Sequence, residues 1–140
     1  MDDPYALQRF LDAQDPIFEH VLAELEAGYK QRHWMWFVFP QLAGLGSSSM
    51  AQRYGISGIA EAQAYLAHPL LGRRLTECTR LVNVVAGRTA EQIFGSVDAL
   101  KFRSSMTLFA QVEGSDSCFA EALHKYYAGQ PDAFTLEKLR

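Results

Sequence analysis

Lys30-Gln31-Arg32-His33-Trp34-Met35-Trp36-Phe37-Val38-Phe39-Pro40-Gln41 contains both tryptophans of the chain and runs straight into Gly44-Leu45-Gly46-Ser47-Ser48-Ser49. From Trp34 to Phe39 every residue is apolar. Neither face of a strand nor any stripe of a helix is then left for water, so the segment must be largely enclosed. Polar groups crowd its ends. The stretch reads as an aromatic rod, either a core staple or a pocket wall, with His33 at one end and Gln41 with a Gly/Ser loop at the other.

Helical patterns lie on both sides of it. Upstream, Asp3-Pro4 before Tyr5, Leu7, Phe10 and Leu11 predicts a short helix with Asp3 as N-cap and Pro4 as its first residue. Asp15-Pro16 repeats the device, with Ile17, Phe18, Val21, Leu22 and Leu25 at helical spacing and Gly28 as the stop. Downstream, the serines offer an N-cap for a helix over 49–54, and Ile59 to Ala67 forms another, ended by the residue before Pro69. Leu71, Leu75, Cys78, Val82 and Val85 draw a narrow seam down a longer core helix. Thr89 caps one turn through Phe94, and Ser96 caps a helix from Val97 to about Val112. Phe119, Leu123, Tyr126 and Tyr127 mark the next helix, and Asp132 to Leu139 a last short turn or helix. No pair of alternating β-branched runs is joined by a hairpin turn. The expectation is an all-α, compact single domain over residues 1–140, a bundle of about seven to eight short and medium helices.

Composition narrows the class. A 140-residue chain buries roughly 68% of its unfolded surface. A hydrophobic fraction of 49%, with nine Phe, six Tyr and two Trp, excludes a disordered chain. The net charge of -3 argues against the broad basic face of a nucleic-acid binder, while leaving room for a local basic pocket. The start, Met1-Asp2-Asp3-Pro4, lacks a signal peptide's cationic and apolar regions, and no apolar run reaches membrane-spanning length, so a cytoplasmic protein is expected. Cys78 and Cys118 carry no zinc or disulfide spacing and read as reduced core residues. The chain offers no cluster suited to a metal and no cofactor motif, and its oligomeric state is not read from the sequence.

Candidate chemistry gathers at a few positions. Projected as a helix, 97–112 is apolar around most of its circumference, with only Ala99, Arg103, Thr107 and Ala110 left to meet water. Lys101, Ser104 and Ser105 then share one side at i, i+3 and i+4, as an anion site or as a snorkelling lysine with helix-bonded serines. Arg74 flanks the seam helix and either closes that site or pairs with Glu77. His68, before Pro69, is a cap or a ligand contact. His33, beside Lys30 and Arg32, is the candidate acid or base, because nearby cations favour the neutral imidazole. Trp34 and Trp36 are core residues or a stacking wall for a base or sugar. Gln41, Ser47 and Ser48 border the Gly/Ser loop, which lacks a Walker lysine but offers amides for an anion.

His33 to Gln41, Gly44-Leu45-Gly46, His68-Pro69-Leu70-Leu71-Gly72, Ile93-Phe94-Gly95 and Lys101 to Phe109 together resemble one bacterial and fungal family, catalogued as domain of unknown function eighteen-ten. The resemblance runs over nearly the whole chain and implies a compact all-helical domain, with no activity to carry over. Some members bear the label calpastatin, which belongs to disordered inhibitors and does not fit this aromatic-rich composition. The functional expectation is an aromatic-walled pocket for a phosphate-bearing small molecule, a nucleotide or an ADP-ribose-like compound. If the domain is an enzyme, N-glycosidic hydrolysis suits these residues. The alternative is a non-catalytic protein-interaction module.

Overall fold

The computed structural model describes residues 2–140, and every regular element among them is helical. In chain order these are α1 (Gln8–Gln14), α2 (Phe18–Glu26), α3 (Met35–Val38), α4 (Ser49–Tyr54), α5 (Ile59–Ala67), α6 (Leu71–Asn83), α7 (Ala90–Phe94), α8 (Ser96–Ala110), α9 (Cys118–Tyr127) and α10 (Ala133–Leu139). The described residues thus form ten helices rather than seven or eight, because the turn of the aromatic rod, α3, and the single turn α7 stand as helices of their own. α8 is the central element, packed against α7, α9 and α10 and touching α3 and α5, while α6 joins α2, α5 and α9.

Local chemistry explains many of the boundaries. The Ser48 hydroxyl accepts from the Ala51 amide and starts α4. Thr89 and Gln92 form a reciprocal capping box at α7. Asp132 accepts from the Thr135 amide and starts α10. α2 ends at Gly28, whose φ of +68° lets its own amide reach Leu25 O and that of Tyr29 reach Glu24 O, satisfying two terminal carbonyls.

Both Asp-Pro signals are used differently from expectation. Asp3 does accept backbone amides, but those of Leu7 and Gln8, across an intervening turn, so α1 starts at Gln8 and not at Pro4. Asp15 caps nothing; it is the residue after α1, and its carboxylate meets Arg74 at 2.9 Å. That pairing also replaces the anticipated Arg74–Glu77 bridge. At α8 the N-cap is Gly95, with Ser96 already inside the helix.

The aromatic rod is one helical turn followed by Pro40, and a continuous apolar run carries no period to announce this. Trp34, Met35, Phe37, Val38 and Phe39 are buried, and Phe39 sits among the rings of Trp34, Phe94 and Phe102. Trp36 is the exception, only partly buried. The turn is tied down by Glu24, a buried carboxylate that accepts from the amides of Gln31 and Arg32, the Arg32 guanidinium and the Trp34 indole. Burial alone would raise its pKa; those four donors outweigh burial and hold it down at about 2.

The water-facing arc expected on α8 is also corrected. Ala99 and Thr107 are fully enclosed by neighbouring helices, whereas Val97 and Leu100, each 65% exposed, face outward. Both cysteines are buried and unpaired, and burial pushes the Cys78 thiol up to about 12.

Candidate functional site

The exposed apolar edge of α8 is one wall of a cleft of about 760 Å³. Val97, Leu100, Lys101 and Ser104 come from α8, Asp132, Phe134 and Lys138 from α10 and its cap, and Trp36 from α3. The facing wall is the loop from Gln41 to Ser48. Two backbone bonds pin that loop, Ala43 N to Ile56 O at 2.7 Å and Ile56 N to Gln41 O at 2.9 Å, around an isolated parallel bridge between Leu42 and Ile56.

Lys101 reaches back over the Trp36 indole, its ammonium 4.5 Å from the ring centre. The same ammonium is 3.4 Å from Asp98, which also pairs with the largely buried Lys30 at 2.7 Å. One carboxylate shared by two ammonium groups leaves this corner with a net positive charge. On the far side Lys138 crosses the loop, so close that a methyl group on Gly44 would lie 3.2 Å from its Nζ. Lys138 has no acidic partner among the described residues. Asp132 lines the same cleft; its Oδ2 accepts from the Thr135 hydroxyl and amide at 2.6 and 3.0 Å and from Ser104 Oγ at 3.2 Å, a hydroxyl shared with Leu100 O at the same distance.

The residues expected at a site divide into two groups. Trp36, Gln41, Ser47, Ser48, Lys101 and Ser104 all line this cleft. The others lie elsewhere. His33 is exposed, makes no side-chain hydrogen bond among the described residues and does not line this cleft. Trp34 is buried behind the wall, held by Glu24. His68 accepts the Leu70 and Leu71 amides at its Nδ1, both at 3.2 Å, and so opens α6. Arg74 lies over the Phe18 ring and bonds Gln14 and Asp15, which separates it from Lys101. Ser105 is fully buried, and its hydroxyl has no partner among the described residues.

Sequence reasoning missed Val97, Leu100, Asp132, Phe134 and Lys138 as site residues. Phe134 and Lys138, at i and i+4, share a face of α10, a spacing that could have been noticed. That this face turns toward a glycine loop some 90 positions earlier has no local signal.

The fold and cleft together define a small all-helical domain with a surface cleft of mixed apolar and cationic character. The chain belongs to the family described as protein of unknown function (DUF1810), whose model matches residues 4–139. It is similar to the crystal structure of the conserved hypothetical protein Rv1873 from Mycobacterium tuberculosis, at 58% identity over 98% of each chain and with a TM-score of 0.96. No curated protein matches it. Among the described residues no helix is long and apolar enough to cross a membrane, and no group of three or more His, Cys, Asp or Glu could hold a metal ion.

Proposed function

We propose that the cleft binds a nucleotide or an ADP-ribose-like compound, with a flat base against Trp36 and phosphate oxygens on Lys101 and Lys138. The observation that carries this reading is the Lys101 ammonium over a partly exposed indole, at the edge of a cavity large enough for such a ligand. A tryptophan left only partly buried in an otherwise buried aromatic turn supports a stacking role, and the shared Asp98 carboxylate leaves positive charge for an anion. A cytoplasmic location is in keeping with two unpaired, buried thiols. The hydrolytic extension, N-glycosidic cleavage with His33 as acid or base, draws no support from an exposed His33 outside the cleft, so the reading is one of binding.

A second reading, a protein-interaction module, is favoured by one specific feature: Val97, Leu100 and Phe134, three of the large apolar residues exposed to water, surround the same cleft. A thermal-shift series with AMP, ADP, ADP-ribose and inorganic phosphate separates the two. A dose-dependent rise in Tm with the nucleotides supports the first reading, because a ligand that binds only the folded state stabilises it by mass action. A flat response to all four leaves the apolar rim as the functional feature.

A further inference from the structure

Asp132 is the one acidic residue lining the cleft, and it stands on the same wall as the cations that make the cleft anion-tolerant. A cap alone does not require that location. The hydroxyl and amide of Thr135 converge on Oδ2, joined by Ser104 Oγ, whose one proton is shared with Leu100 O, while Oδ1 takes no hydrogen bond from the described residues. The carboxylate is therefore oriented through one oxygen and has the lone pairs of the other to spare. Ser104 lies one helical turn from Lys101, with Cβ atoms about 5 to 6 Å apart at that spacing. Asp132 thus contacts the residue one turn on from Lys101, and it caps the helix that carries Lys138.

Free phosphate is badly served by such an arrangement, since a carboxylate repels it. A ligand with hydroxyl donors between a flat group and a phosphate is well served, because a fixed carboxylate oxygen is a strong acceptor for hydroxyls. Resting on the reading above, we infer that Asp132 Oδ1 receives the ribose hydroxyls of the bound nucleotide, so that the cleft selects ribonucleotides over analogues lacking those hydroxyls. Trp36 holds the base, Asp132 the sugar, and the two lysines the phosphates. A hydrogen bond to a charged group is worth about 1.5 to 3 kcal/mol, or roughly 10- to 150-fold in affinity.

The test is calorimetric titration with ADP and 2′,3′-dideoxy-ADP of the wild type, Asp132→Ser and Asp132→Asn. Both replacements are good N-caps, and the melting temperature of each reports whether α10 is kept. The inference predicts that wild type prefers ADP by about tenfold or more, that Asp132→Ser reduces the ratio to about one, and that Asp132→Asn reduces it at least about threefold. Equal wild-type affinity for the two compounds overturns the inference and leaves nucleotide binding standing. A full preference retained in either folded variant also overturns it, since another group then reads the sugar. If wild type binds neither compound, the underlying nucleotide reading falls and this inference falls with it.

Discussion

Lys101 and Trp36 meet in the lining of the cleft, ammonium over indole at 4.5 Å, and this pair links the interior of the molecule to its candidate site. Trp36 belongs to the same helical turn as the buried Met35 and Phe37, while Lys101 precedes the fully buried Phe102 on the central helix. Their neighbours fix both backbones, so the two side chains are held in place without a ligand. That is the preorganisation a binding site needs.

The aromatic turn divides into a part that stabilises and a part that is presented. Phe39 is enclosed by three other rings, and Phe39→Ala should cost about 3 to 5 kcal/mol. Trp36 is partly exposed, so Trp36→Ala should cost roughly half as much or less. Chemical denaturation of the two variants checks the order. A larger loss for Trp36 would mean that its ring is core.

Glu24 predicts a specific acid limb. Its folded pKa of about 2 lies below the ordinary 4.5, so its contribution is complete above pH 4.5 and is lost as pH falls through 2. The difference corresponds to about 3 kcal/mol. Glu24→Gln should cost about 2 to 4 kcal/mol at neutral pH, because it leaves buried donors poorly matched. Between pH 4.5 and 2 the variant should also lose stability less steeply than wild type, by up to about one proton. Asp3 and Asp116, whose backbone bonds lower their pKa as well, titrate in both proteins and do not alter that difference. Urea unfolding at several pH values measures it, and parallel slopes would remove Glu24 from the account.

Gly72 permits the close crossing of α5 and α6. A methyl group there would stand 2.1 Å from Leu66 O, a backbone atom that cannot swing aside. Gly72→Ala should therefore destabilise by about 1 to 3 kcal/mol or more, although alanine has the better helix propensity. Thermal unfolding would show it, and an unchanged Tm would mean that the two helices can separate at little cost.

Much of the fold was legible because caps and glycines act locally. Ser48, Thr89, Gly28 and Asp132 act on boundaries within four residues, the helix over 49–54 begins after Ser48, and the helix over 59–67 ends just before His68-Pro69 as expected. Asp15 misled because its sequence context offers a cap, while its actual partner, Arg74, is remote in sequence and close only in the folded chain. α8 misled for a related reason. A helix apolar nearly all round has no preferred face, so the coverage of Ala99 and Thr107, and the exposure of Val97 and Leu100, are decided by α7, α9 and α10. The candidate site was half legible. Lys101 and Ser104 were marked by being polar on an apolar helix, but Asp132, Phe134 and Lys138 look like an ordinary capped surface helix until α10 is docked.

If Lys101 is held over Trp36 to receive a phosphate-bearing ligand, calorimetric titration of ADP into wild type and Lys101→Met will separate the two proteins. Lys101 is partly exposed and Asp98 keeps its shorter bond to Lys30, so the variant should unfold within about 1 kcal/mol of wild type. Its affinity for ADP should fall by about tenfold or more, equivalent to roughly 1.4 kcal/mol. Equal affinities in the two proteins, or no saturable heat from wild type, would contradict the account.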